Sequence, residues 1–166
     1  YGIHQSQHDY VAFLDADDYW YPNFLSEIHA LISQFPNCGI YATAYQRIIQ
    51  NHKIKKHNFA DIFEDRNKLQ GITKNLFYYM AYKSDPFIPS STCVPKNILF
   101  EVQLFPDNLV LQEDLITWTK IASRHPVAFS KKICVTYHCE IPDRATLEKF
   151  LPTSDLPIEP IIKNIL

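Results

Sequence analysis

Residues 10–14 read YVAFL and run without a break into DADD at residues 15–18. The apolar part is short, β-branched and aromatic on both faces, the pattern of a central strand covered on both sides and flanked by parallel neighbours. In an extended chain Asp15 and Asp17 point to the same face. Two carboxylates ~4 Å apart repel by roughly 4 kcal/mol at an effective dielectric near 20. Several of them at the end of a buried strand therefore call for a shared cation or proton. Loops beyond the carboxyl ends of parallel strands are also where open α/β sheets bind ligands. A divalent cation, Mg²⁺ or Mn²⁺, bridging to a diphosphate satisfies both conditions, because phosphates complete a shell to which the protein gives few carboxylates.

Other readings compete for the same residues. An EF-hand loop starting at Asp15 needs Gly at its sixth position and Glu at its twelfth, where this chain has Trp20 and Ser26. A haloacid-dehalogenase-type phosphatase also places Asp-x-Asp after an apolar strand but continues with Thr or Val, whereas Asp18 and Tyr19 follow here. A solvated acidic turn with a helix N-cap is the plain structural alternative.

Along the chain, residues 1–8 read as the end of a helix. Pro22 suits a first helical position, and Phe24, Ile28, Leu31, Ile32 and Phe35 recur at helical spacing before Pro36 and Asn37. Residues 39–50 predict a strand, with a hairpin as its extension, and residues 51–58 a polar, basic, solvated loop. A helix is expected over 73–82, a short strand over 89–95 and a brief helix over 96–102. Leu115, Trp118, Ile121 and Ala122 share one face of a further helix that opens with Glu113 and Asp114, where carboxylates suit the helix dipole. Residues 127–139 alternate as one or two strands. The expected organisation is one domain over 1–142 and a helical, Pro-spaced tail over 143–166. Alternating strands and helices indicate α/β.

Composition narrows the functions. A net charge of −2 gives no basic surplus for nucleic acid. Aromatics at 14% suit either a Tyr/Phe-rich core or a ring-lined sugar groove. Cys38, Cys93, Cys134 and Cys139 form no Cys-x-x-Cys pair and read as buried thiols of a reducing, cytoplasmic compartment, with a peripheral place at the membrane face as the variant. Gly2, Gly39 and Gly71 build no phosphate loop. No signal peptide or membrane-spanning run stands out.

FLDADDYWYPNFL and, after a gap, LFPDNLVLQEDLITWTKIA resemble the middle and the later part of a glycosyltransferase family 2 domain. In that family an apolar strand ends in Asp-x-Asp ahead of an aromatic, a Pro and an amphipathic helix, and a Glu-Asp pair opens a later helix. The resemblance covers roughly residues 1–138. It implies an inverting GT-A enzyme with a Rossmann-like mixed sheet flanked by helices. Asp15, Asp17 and Asp18 are then expected to bind the nucleotide-sugar, a UDP-sugar by preference, with Asp17 the first choice for metal contact and Asp15 beside it. Asp114 matches the general base, with Glu113 adjacent. The acceptor would be a saccharide or a lipid-linked sugar, the type hexosyl transfer and the setting surface-polysaccharide synthesis. His138 falls where some GT-A enzymes place a third metal ligand, although a half-buried strand histidine explains it as well. Cys134, His138 and Cys139 are poorly spaced for zinc. Ser90, Ser91 and Thr92 suit either the acceptor cleft or a strand entry. His52 and His57, and Lys53, Lys55 and Lys56, read as solvated.

The chain lacks the Gln-x-x-Arg-Trp motif of processive members, which implies transfer of single sugars. The resemblance also implies two or three βα units of nucleotide-binding segment ahead of Tyr1. The chain is accordingly expected to be a fragment, inactive alone and prone to self-association. A non-catalytic glycan- or partner-binding remnant is the alternative.

Overall fold

The computed structural model describes residues 1–49, 53–56, 59–74, 76–82, 86–107, 109 and 112–139. His52, His57 and the tail from Asp143 lie outside them. The elements run α1 (Gly2–Gln5), β1 (Tyr10–Ala12), β2 (Tyr19–Trp20), α2 (Phe24–Gln34), β3 (Ile40–Ile49), β4 (Lys53–Lys56), β5 (Gln70–Ile72), α3 (Leu76–Tyr82), a 3-10 turn (Pro89–Ser91), β6 (Thr92–Pro95), α4 (Lys96–Glu101), α5 (Glu113–Ala122) and β7 (Val127–His138).

Seven strands form one mixed sheet in the order β1-β6-β3-β7-β2, with β4 added to β3 and β5 to β7. The spine is the parallel pair β3–β7, in register from Ile40 opposite Val127 to Ile48 opposite His138. A register shift between Thr43 and Tyr45 lets Ala44 and Tyr45 pair with Ile133 and Val135. The remaining pairings are antiparallel.

Both faces of the spine are covered, which is why β3 reads as a nearly continuous apolar run. Ile40, Ala42 and Ala44 pack with Leu76, Tyr79, Leu99, Trp118 and Ile121 from α3, α4 and α5. Tyr41, Tyr45 and Val135 pack with Phe24, Ile28 and Leu31 of α2 on the other face. Gly39 permits the close seating of α5 against the start of β3. A Cβ there would lie 2.5 Å from His125 Cβ and 2.6 Å from Ile121 Cγ2.

The α/β expectation holds, and most elements fall where periodicity placed them, but the leading strand does not have the expected neighbours. β1 has three residues, stands at the end of the strand order, and pairs antiparallel with β6 through Val11 opposite Val94. Tyr10 is 40% and Leu14 49% exposed. A β-branched and aromatic run specifies extended backbone, and the Pro-bounded Thr92–Pro95 strand takes the place beside it. Phe13 is half-buried and packs against the α5 side of the core. Residues 53–56 form a strand paired with β3, not a loop; Lys53 and Lys55 are nonetheless exposed. The two short strands β2 and β5 carry no length signal in the sequence and were not anticipated.

A buried carboxylate anchors α2 to the sheet. Glu27 accepts hydrogen bonds from Ser130 Oγ at 2.6 Å, Gln70 Nε2 and Lys132 Nζ at 3.1 Å. Burial alone would raise its pKa, but the bonds from Ser130, Gln70 and Lys132 more than offset that and leave it lowered.

Candidate functional site

The acidic turn begins where β1 ends. Asp18 N–H donates to Asp15 O at 3.1 Å and closes a β-turn. Ser90, fully buried in the 3-10 turn, props it from below. Its Oγ accepts Asp15 N–H at 3.0 Å and also bonds the Asp18 carboxylate. Trp20 Nε1 donates to Ser90 O at 2.6 Å and fastens the far side. Ser91 and Thr92 are equally buried and bond locally to Ile88 O and Pro89 O. The Ser90 hydroxyl thus serves the acidic turn, and those of Ser91 and Thr92 serve the strand entry.

Asp15 is exposed, while Asp17 and Asp18 are half-buried. Asp18 Oδ1 accepts the backbone N–H of His138 at 3.3 Å. Burial raises Asp18 from its ordinary 3.8 to about 6; the bonds from Ser90 and His138 oppose the rise, and the charges of Asp15 and Asp17 add to it. The charges of Asp15 and Asp17 thus reach Asp18. His138 meets the turn through its backbone N–H, and its ring Nδ1 is buried without a partner.

The second carboxylate pair sits at the start of α5. Glu113 and Asp114 are half-buried in its first turn. Asp114 Oδ1 accepts Leu115 N–H at 2.7 Å, and Glu113 O accepts Thr117 Oγ at 2.7 Å. The preceding residue, Gln112, has φ 66° and ψ 14°, a left-handed conformation that a non-glycine residue holds only under constraint. No sequence signal announces that strain.

An aromatic hub joins the two carboxylate sets. Phe13, two residues before Asp15, meets Trp118 edge-on with ring centroids 5.5 Å apart. Phe105 closes the triad at 5.6 Å from each ring. Trp118 lies one helical turn beyond Asp114, so the acidic turn and the start of α5 share one anchor. Among the described residues, buried polar atoms without a partner concentrate on these elements: Asp18 Oδ2, His138 Nδ1, Gln112 Oε1 and Trp118 Nε1. Such atoms are uncommon in folded chains and often mark functional sites.

Among the described residues no group of three or more His, Cys, Asp or Glu side chains is placed to hold a metal ion. The turn does not form a closed protein cage. The orphaned Asp18 Oδ2, and the charges of Asp15 and Asp17 that raise Asp18, fit a cation only where a ligand's oxygens complete the shell, as Mg²⁺ prefers. The four cysteines are free, three of them buried. Among the described residues no helix is long and apolar enough to cross a membrane.

Residues 1–108 match the family model described as "Glycosyl transferase family 2". Two curated relatives are similar over three quarters of the chain. An "Uncharacterized glycosyltransferase" of Rickettsia bellii (strain RML369-C) is 30% identical over 124 residues, 75% of this chain and 16% of the relative. Another of the same description, from Rickettsia felis (strain ATCC VR-1525 / URRWXCal2), is 28% identical over 126 residues, 76% of this chain and 19% of the relative. The chain thus matches less than a fifth of the length of these relatives.

Proposed function

This chain belongs to glycosyl transferase family 2, and from that premise we propose that it carries the diphosphate-binding turn and the general base of an inverting sugar transfer. The observation that carries the reading is the Phe13–Trp118 contact, which ties the Asp15–Ala16–Asp17 motif to the helix that opens with Glu113 and Asp114.

In the proposed reaction the acceptor hydroxyl oxygen attacks the anomeric carbon of a nucleotide-sugar from the face opposite the leaving group. The new C–O bond forms as the anomeric C–O bond to the diphosphate breaks, and the electron pair leaves with the phosphate oxygen. The Asp114 carboxylate takes the hydroxyl proton, with Glu113 beside it. Half-burial near Trp118 keeps that carboxylate from full hydration, which suits a base. Asp15 and Asp17 would hold a divalent cation, Mg²⁺ or Mn²⁺, together with the diphosphate, and such an ion would stabilise the charge that develops there. His138 is kept as a secondary candidate for that ion. Asp18, held by Ser90 and by His138 N–H, orients the turn that receives the donor.

The donor is proposed to be a UDP-hexose and the acceptor a saccharide or lipid-linked sugar of polysaccharide synthesis, in the cytoplasm or at the cytoplasmic face of the membrane. The 166 residues by themselves are proposed to be inactive and to self-associate, since β1 stands at the sheet edge with Tyr10 and Leu14 exposed. Titration calorimetry of the full-length protein with UDP-sugars and Mn²⁺ tests the donor half. Binding that is lost in Asp17→Asn supports the reading; binding that is indifferent to Asp17 and to Mn²⁺ overturns it.

A further inference from the structure

Tyr19 follows the acidic turn directly and is 54% exposed. Its neighbour on β2, Trp20, points to the α2 side, where its ring stacks on Phe24 at 4.3 Å. Successive strand residues alternate, so Tyr19 projects from the other face. There it meets Tyr21 edge-on, with centroids 5.8 Å apart and planes at 78°. Tyr21 is held in turn. Its hydroxyl shares a hydrogen bond with Thr136 Oγ1 at 2.9 Å and accepts one from Gln46 Nε2 at 2.8 Å. Gln46 Nε2 also reaches Thr136 Oγ1 at 3.3 Å.

A lone exposed aromatic needs no explanation. This ring differs in two respects: a second ring, fixed through its hydroxyl by Gln46 and the buried Thr136, buttresses it, and the half-buried Gln46 amide stands beside that second ring. A pyranose has the matching chemistry, with an apolar C–H face and a rim of hydroxyls. Its weakly positive C–H groups suit the negative face of an aromatic ring, and its hydroxyls suit a mixed donor–acceptor edge.

We propose that Tyr19, buttressed by Tyr21 and edged by Gln46, is a saccharide subsite that receives the acceptor sugar. The role as acceptor site rests on the sugar-transfer reading above; the binding of a pyranose does not. β2 ends the strand order, so a glycan seated there can extend into solvent.

The test is an NMR titration of the full-length protein with methyl β-glycosides of glucose, galactose and N-acetylglucosamine. Sorbitol, which has hydroxyls but no ring face, serves as control, and uridine as a competing flat ligand. At least one glycoside is expected to shift the Tyr19 and Tyr21 ring signals at millimolar concentration, with sorbitol silent. Tyr19→Ala should weaken that binding about tenfold, and Tyr19→Phe should retain it, because stacking needs the ring and not its hydroxyl. Equal binding by Tyr19→Ala, an equal response to sorbitol, silence of all three glycosides, or uridine alone shifting these rings would each overturn the subsite. UDP-glucose with Mn²⁺, titrated in parallel, separates the two claims. Glycoside binding without nucleotide-sugar binding leaves the subsite standing and removes the transferase reading; the converse removes the subsite alone.

Discussion

Phe13 and Trp118 meet edge-on, their ring centroids 5.5 Å apart and their planes inclined at 62°. The contact fastens the residue two positions before Asp15 to the residue four positions after Asp114. It is how a three-residue edge strand and a ten-residue helix, about a hundred residues apart in sequence, are held to one place. Trp118 is buried to 2% exposure, so its removal leaves a large cavity.

Trp118→Ala is expected to lower stability by about 3–5 kcal/mol, read from the shift in a urea unfolding midpoint. Phe13→Ala removes only the half-buried partner and should cost less in stability. It should nonetheless lower transfer by the full-length protein, because reacting groups that drift by ~1 Å can lose about a hundredfold in rate. Transfer by Phe13→Ala equal to that of the parent would show that the hub does not position the site.

The acidic turn should leave a pH signature. Asp18 is raised from 3.8 to about 6, so the folded chain holds this proton more tightly than the unfolded chain does. Its stabilising contribution is complete below about pH 4, falls as pH rises towards 6, and is constant above that. In metal-free buffer, Asp18→Asn should be more stable than the parent at pH 7, and the difference should vanish near pH 4. Thermal melts of both proteins across that range check the sign.

Glu27 should behave in the opposite sense. Its folded pKa is lowered, the bonds from Ser130, Gln70 and Lys132 outweighing the effect of burial. Its contribution is therefore present above the ordinary carboxylate range and is lost as pH falls through the folded value. Glu27→Gln should destabilise the protein by about 1.5–3 kcal/mol at neutral pH, the range for hydrogen bonds to a charged group. Denaturant unfolding should show the penalty shrinking in acid.

What the sequence disclosed follows from which forces are local. Apolar spacing placed α2 and α5, and the run from Gly39 placed β3, because each buries a long face that needs a periodic pattern. The Asp-x-Asp residues stood out because clustered carboxylates at a strand end are costly without a ligand, whereas Glu113 and Asp114 are ordinary for a helix start and stood out only through the family resemblance. The neighbours of β1 were not legible: a strand's composition records burial and backbone shape, not which strand lies alongside. Ser90 was recognisable as a polar residue, yet only the fold reveals that its hydroxyl props Asp15 and Asp18. The left-handed Gln112 and the two- and three-residue strands β2 and β5 left no pattern, since pairing with β7 creates those strands.

Asp114 and the Asp15–Asp17 motif are proposed to act on one reaction in different roles. Steady-state transfer from a UDP-sugar by the full-length protein, comparing Asp114→Asn with Asp17→Asn, tests it most directly. A base acts mainly in the transition state, so Asp114→Asn should lower kcat by orders of magnitude with donor KM nearly unchanged. Asp17→Asn should raise donor KM as well as lower kcat. An Asp114→Asn enzyme that keeps kcat within a few-fold of the parent would contradict the account.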